Sequence, residues 1–162
     1  MISFGLFTGK VTGVHNVQSG DFQNGCVQMV ELQNEEGALA HFIVSPDTYV
    51  LHQEMISVGD IVTGYYDANA PMIMIYPPQY PALVMVKEHA GHHVKVSYFN
   101  TALVSEDNRL ALNPDSSTRI VTTNGQAFMG ELGGNHLVVV YGPSTKSIPA
   151  RTIPYQIVVL CK

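Results

Sequence analysis

One pattern of strand and turn residues runs through this chain twice, in the same order, and no helical periodicity interrupts it. Residues 39–50 line up with 109–121. In each, a short apolar run meets a Pro-Asp pair (Pro46-Asp47 and Pro114-Asp115), then a threonine (Thr48 and Thr118), then a β-branched residue. Residues 61–66 match 137–141. Residues 75–81, with the run to Val86, match 147–154 with the run to Leu160. Three matched segments in one order predict an internal duplication. A chain built that way must bury its apolar faces module by module.

The segments themselves read as strands. Runs at 7–14, 27–32, 38–44, 61–66, 72–76 and 82–86 are rich in Val, Ile, Phe and Tyr and are bounded by Gly, Asn, Asp and Pro. Asn34-Glu35-Glu36-Gly37 between two of them is a hairpin signal. The stretch 49–58 has a weak apolar spacing and predicts a turn with one helical coil. Strands at this spacing predict an all-β chain of two tandem barrel or sandwich modules related by internal repeat, residues 1–88 and 89–162. The polar stretch 87–93 between them reads as a short linker.

The half-repeat resembles small OB-like barrels found in bacterial proteins of unknown function. The resemblance rests on a Gly-Lys-Val-Thr opening strand (Gly9 to Thr12), a strand ending in Pro46-Asp47-Thr48, the turn Val58-Gly59-Asp60, and a closing strand at 82–86. The whole chain looks like an uncharacterised bacterial family with two such modules. That implies OB-like folds and no particular activity, because such barrels host many functions. The second copy departs from the pattern where Gly133-Gly134-Asn135-His136 stands in place of Val58-Gly59-Asp60.

Charge differs between the copies. Residues 1–88 carry two bases against nine acids (−7), and residues 89–162 six bases against four acids (+2). The net −5 argues against nucleic acid as a partner, since phosphate affinity comes from Lys and Arg. Only 13% of residues are charged, against about 25% in an ordinary domain. Neutral surface of that extent fits persistent protein–protein contact. No run approaches the roughly 18 apolar residues of a membrane-spanning helix, so no membrane insertion is expected. No signal peptide is recognisable either, which predicts cytoplasmic synthesis with leaderless release or surface deposition as the route outward.

Candidate chemistry is sparse. His89, His92 and His93 beside Glu88 are the densest set of metal-ligand types, yet a linker cluster without Cys is more often solvated surface. Cys26 and Cys161 fit no metal or redox spacing and read as small buried hydrophobes or, less often, a disulfide. No nucleophile motif and no phosphate-cradling loop is present, and the acid pairs Glu35-Glu36 and Glu106-Asp107 lie on expected turns. The sequence therefore predicts no enzyme and no cofactor.

Two functional readings follow. Tyr65, Tyr66, Tyr76, Tyr80 and Tyr141 lie on or near matched strands and serve either core packing or a stacking surface. Tyr76-Pro77-Pro78-Gln79-Tyr80-Pro81 reads as an edge or loop crossing, with a polyproline ligand as the other option. The apolar start, with Ile2, Phe4, Leu6 and Phe7, predicts an arm over residues 1–8 that lies either on a neighbouring copy or on its own module. The first reading is a non-enzymatic, self-assembling structural protein, a homo-oligomer or filament with head-to-tail contacts between modules. The alternative is an OB-like binding module for a small ligand, a saccharide or a partner protein, which requires one concave Tyr-lined surface.

Overall fold

Residues Phe4–Asn16 form one long strand, β1, along which inward and outward residues alternate from Leu6 to Gly13. Phe7, Gly9, Val11 and Gly13 turn inward, and Leu6, Thr8, Lys10 and Thr12 turn out. The arm expected over residues 1–8 is not a separate element. Its residues from Phe4 onward pair with β5 (Ile61–Asp67), from Phe4 opposite Asp67 to Lys10 opposite Ile61. At Lys10 the strand gains a second partner, β2 (Gln28–Gln33), and a bulge at Thr12 absorbs the change of direction.

The computed structural model describes residues 1–18 and 20–162 and is all-β. Apart from one tight 3-10 turn at Leu51–Gln53, no helix occurs among the described residues, and none is long and apolar enough to cross a membrane. The chain divides into two compact units, Phe4–Glu88, and His89–Lys162 together with Met1–Ser3.

In the first unit, β2 turns through Asn34 into β3 (Leu39–Val44). The Asn34 side-chain oxygen accepts hydrogen bonds from the backbone N–H groups of Glu36 and Ala38, which fixes the hairpin. After β4 (Tyr49–Val50) and β5 come β6 (Gln79–Pro81) and β7 (Val84–Lys87). β6 runs parallel to β3, while β7 runs antiparallel to β5 and parallel to β4. Only Ala82 and Leu83 separate β6 from β7, so the pairings close into a ring: β1, β2, β3, β6 with β7, β5, and back to β1. Val11, Val30, Leu32, Phe42, Val62 and Met85 fill it.

The second unit holds β8 (His93–Phe99), β9 (Leu110–Leu112), β10 (Arg119–Thr122), β11 (Asn135–Tyr141), β12 (Ala150–Thr152) and β13 (Gln156–Val159). Its strands follow the same order, with the counterpart of β2 reduced to bridges from Ser105 to Phe99 and from Val104 to Ala111. Phe99, Leu110, Leu112, Leu137, Val139 and Ile157 make its core.

The matched sequence segments occupy equivalent registers. Thr48 Oγ1 donates to Ala82 O (2.8 Å) and accepts from Ser45 N (3.1 Å); Thr118 Oγ1 donates to Pro154 O (2.8 Å) and accepts from Asp115 N (3.2 Å). Tyr65 opposes Val84 as Val140 opposes Gln156. The glycine turn that looked different in the second copy plays the same part. Gly59 N donates to Val11 O and Gly134 N to Phe99 O, both glycines at positive φ (97° and 78°). Thr118→Val keeps the shape but strands the Pro154 carbonyl, whose residue is buried. A loss of about 1–3 kcal/mol in denaturant unfolding is the expected outcome.

Candidate functional site

The two units differ most in one equivalent loop, the connection that leads from β5 to β6 and from β11 to β12. Each loop ends in a cis peptide, Tyr76-Pro77 and Ile148-Pro149, which sets residue 72 against residue 144 and 75 against 147. The first reads Met72-Ile73-Met74-Ile75, the second Ser144-Thr145-Lys146-Ser147.

In the first loop the strand expected at 72–76 is not formed. The residues have strand propensity, but β5 already has β1 and β7 on its two sides and β3 has β2 and β6. Neither β5 nor β3 leaves a side free for another strand, and propensity alone does not make one. The segment therefore lies open, with Ile73 78% and Met74 96% exposed and Met72, Ile75 and Tyr76 exposed beside them. Its far end is tied down where Leu39 N donates to Tyr76 Oη (3.1 Å) and His41 N to Pro78 O.

In the second loop the chain is polar and folds on itself. Thr145 N donates to Arg151 O, Arg151 N to Thr145 Oγ1 (2.9 Å), and Thr152 Oγ1 to Pro143 O (2.8 Å). A cleft of about 540 Å³ opens beside it, walled by Pro143 and Ile153. Asn113, Ser144 and Arg151 also line it, Arg151 being held there through its backbone N and O rather than through its guanidinium. A guanidinium with an amide and a hydroxyl beside it can receive a carboxylate or a polyhydroxyl group. Nothing in the local sequence marks this site, since Asn113 and Arg151 are 38 residues apart and meet only through the parallel pairing of β9 with β12.

The tyrosines do not gather into one surface. Tyr66 and Tyr80 stack 3.8 Å apart above Phe42, inside the first unit. Tyr66 lies across Gly5, the residue opposite it on β1, where any side chain would collide with its ring. Tyr65 is buried on the other face of β5, Tyr76 is exposed in the apolar loop, and Tyr141 rests beside His93 in the second unit. The polyproline option fares differently, because Gln79–Pro81 is committed to β6.

Burial pushes the Tyr80 hydroxyl up to about 12, with the hydrogen bond and charge of Tyr66 adding to the shift. The raised value means that the fold favours the protonated phenol. This contribution to stability is complete below pH 10 and is lost as pH rises towards 12. Burial and Asp107 also raise Tyr141, so a spectrophotometric titration should show late-ionising tyrosines, and Tyr66→Phe should bring the Tyr80 step down.

The remaining candidates also find their places. His89, His92 and His93 are exposed, His92 against Tyr155 and His93 against Tyr141. No group of three or more His, Cys, Asp or Glu side chains suited to a metal occurs among the described residues. His93 and Lys87 belong to β8 and β7, so the linker is shorter than expected. Cys26 and Cys161 are free and exposed, which corrects the buried reading; each lies just beyond a strand end, next to a buried neighbour (Val27 and Leu160), with its own side chain facing out. Leu6 is 58% exposed on the outer face of β1, whereas Phe7 packs on the first core and Phe4 is half-buried. Ile2 belongs to the second unit. Its N–H donates to Nε2 of buried His136 (2.8 Å), whose Nδ1 lies 3.0 Å from Lys162 O. His136 gave no signal in sequence beyond standing at a break in the repeat.

No family model, no curated protein and no solved structure matches this chain.

Proposed function

We propose that this chain is a non-enzymatic, self-assembling structural β protein built of two OB-like modules. The observation that carries the reading is the open 71–76 segment, a continuous run of large apolar side chains on the surface of the first unit. Apolar surface of this kind on a folded protein marks an interaction site. The low charge content, 13% of residues, favours persistent contact between copies. The OB-like assignment draws support from strand order. With β6 and β7 counted as one bent strand, the ring runs first, second, third, fifth, fourth, with the third and fifth parallel.

Chemistry other than assembly finds little support. Hydrogen bonding holds Asp60 (from Ser57 N) and Asp115 (from Ser117) low, and each stays an ordinary ionised carboxylate. Asp107 loses some of that preference to burial but regains it from Lys95 and Ser105. Sedimentation over a wide concentration range tests the proposal: species larger than monomer should accumulate with concentration. A monomer throughout would end it.

The cleft beside Arg151 favours a second reading, an OB-like binding module for a small acidic or saccharide ligand. Calorimetric titration with sugar acids, repeated with Arg151→Ala, separates it from the first.

A further inference from the structure

We propose that two copies of this chain pair reciprocally, the 71–76 segment of each adding as a strand to the free side of β1 in the other. The inference rests on the self-assembly reading and names its contact.

β1 has β5 along its first half and β2 only from Lys10 onward. Val11 N donates to Asp60 O on the β5 side, and Leu83 N donates to Tyr65 O on the far side of β5. Since bonding direction alternates along a strand, odd residues of β1 bond to β5, and the N–H and C=O of Leu6 and Thr8 point the other way. On that side no strand among the described residues pairs with β1 before Lys10, and both residues are exposed. An edge of this kind is a template for one more strand.

The 71–76 segment suits that edge. It holds the strand formers Ile73, Ile75 and Tyr76 and is uncharged, as is β1 from Phe4 to Thr8. Among the described residues it has no strand partner in its own ring, beyond a local turn from Ile75 N to Ile73 O that pairing would open. Neither segment itself brings a charged side chain into the contact. A large exposed side chain presents on the order of 200 Å². The two segments of a pair would then remove on the order of 1,200 Å² from water, the lower end of a stable, specific interface. Donor and acceptor belong to the same unit, and the segment departs from β5 next to Asp67, which pairs with Phe4. Each copy thus offers both halves of the contact at one end of the unit, the condition for a two-fold, self-complementary dimer.

The test uses opposite charges on the full chain. Leu6→Lys and Ile73→Asp each place a charge on an exposed position, and circular dichroism checks that each variant is folded. Measured by sedimentation, each alone should weaken self-association roughly ten-fold or more. An equimolar mixture should restore it to within a few-fold of the wild type, because one contact regains its apolar pair and the other becomes an ion pair. Self-association that survives Leu6→Lys, or a mixture that fails to recover, overturns this contact while the self-assembly reading stands. A wild-type chain that stays monomeric overturns both.

Discussion

Phe42→Ala is expected to destabilise the first unit by about 3–5 kcal/mol, read from denaturant unfolding by circular dichroism. Phe42 is fully buried at the middle of β3, with Tyr80 5.3 Å and Tyr66 6.2 Å from its ring. The space for that ring is made by Gly64 on β5. A Cβ there would lie 2.5 Å from the phenyl group, so neither side of the contact can change alone. The second unit solves the same problem with other residues. By register, Leu112 holds the place of Phe42 and Val139 that of Gly64, and both belong to one core cluster. A large residue over a glycine and a medium one over a valine fill comparable volume. Phe42→Leu with Gly64→Val should therefore cost less than the two single changes added together, by about 0.5–3 kcal/mol. Additive costs would mean that the two positions do not share one packing volume.

That equivalence explains what the sequence made legible. Turns are local chemistry, so Pro-Asp before a threonine and a glycine before a strand are readable from neighbours a few residues apart. Thr48 with Thr118 and Gly59 with Gly134 accordingly occupy matching places. Partnerships across the ring are not local. The run at 72–76 has strand propensity, yet whether it becomes a strand depends on β1, β7, β2 and β6 having already taken every side of β5 and β3. Phe4 and Leu6 looked like an arm because their partners, Asp67 and Tyr65, lie some 60 residues away. The burial expected of Cys26 and Cys161 failed for a related reason, since residue type suggests burial while both lie just beyond strand ends with their side chains exposed. The Arg151 cleft needed β9 and β12 to meet before it existed.

The second unit also supplies the control for self-assembly. Replacing the apolar loop by its own counterpart, through Met72→Ser, Ile73→Thr, Met74→Lys and Ile75→Ser, should weaken self-association at least about a hundred-fold. At roughly 25 cal/mol per Å², the loss of about 110 Å² of apolar contact is enough for that change. Ile73 and Met74 are exposed almost throughout, so their side chains alone exceed that area if a partner covers them. Stability should stay within about 0.5 kcal/mol of the wild type, because these residues contribute nothing to the core and the loop's anchors at Tyr76 and Pro78 remain. A large drop in stability would mean that the segment packs on its own chain. The reverse exchange, Met-Ile-Met-Ile placed at 144–147, separates the two functions assigned to these loops. It removes Ser144 from the Arg151 cleft and presents a second apolar run, so ligand binding should fall while self-association rises. Only a pair of loops with independent roles on one repeated scaffold gives opposite signs in the two measurements.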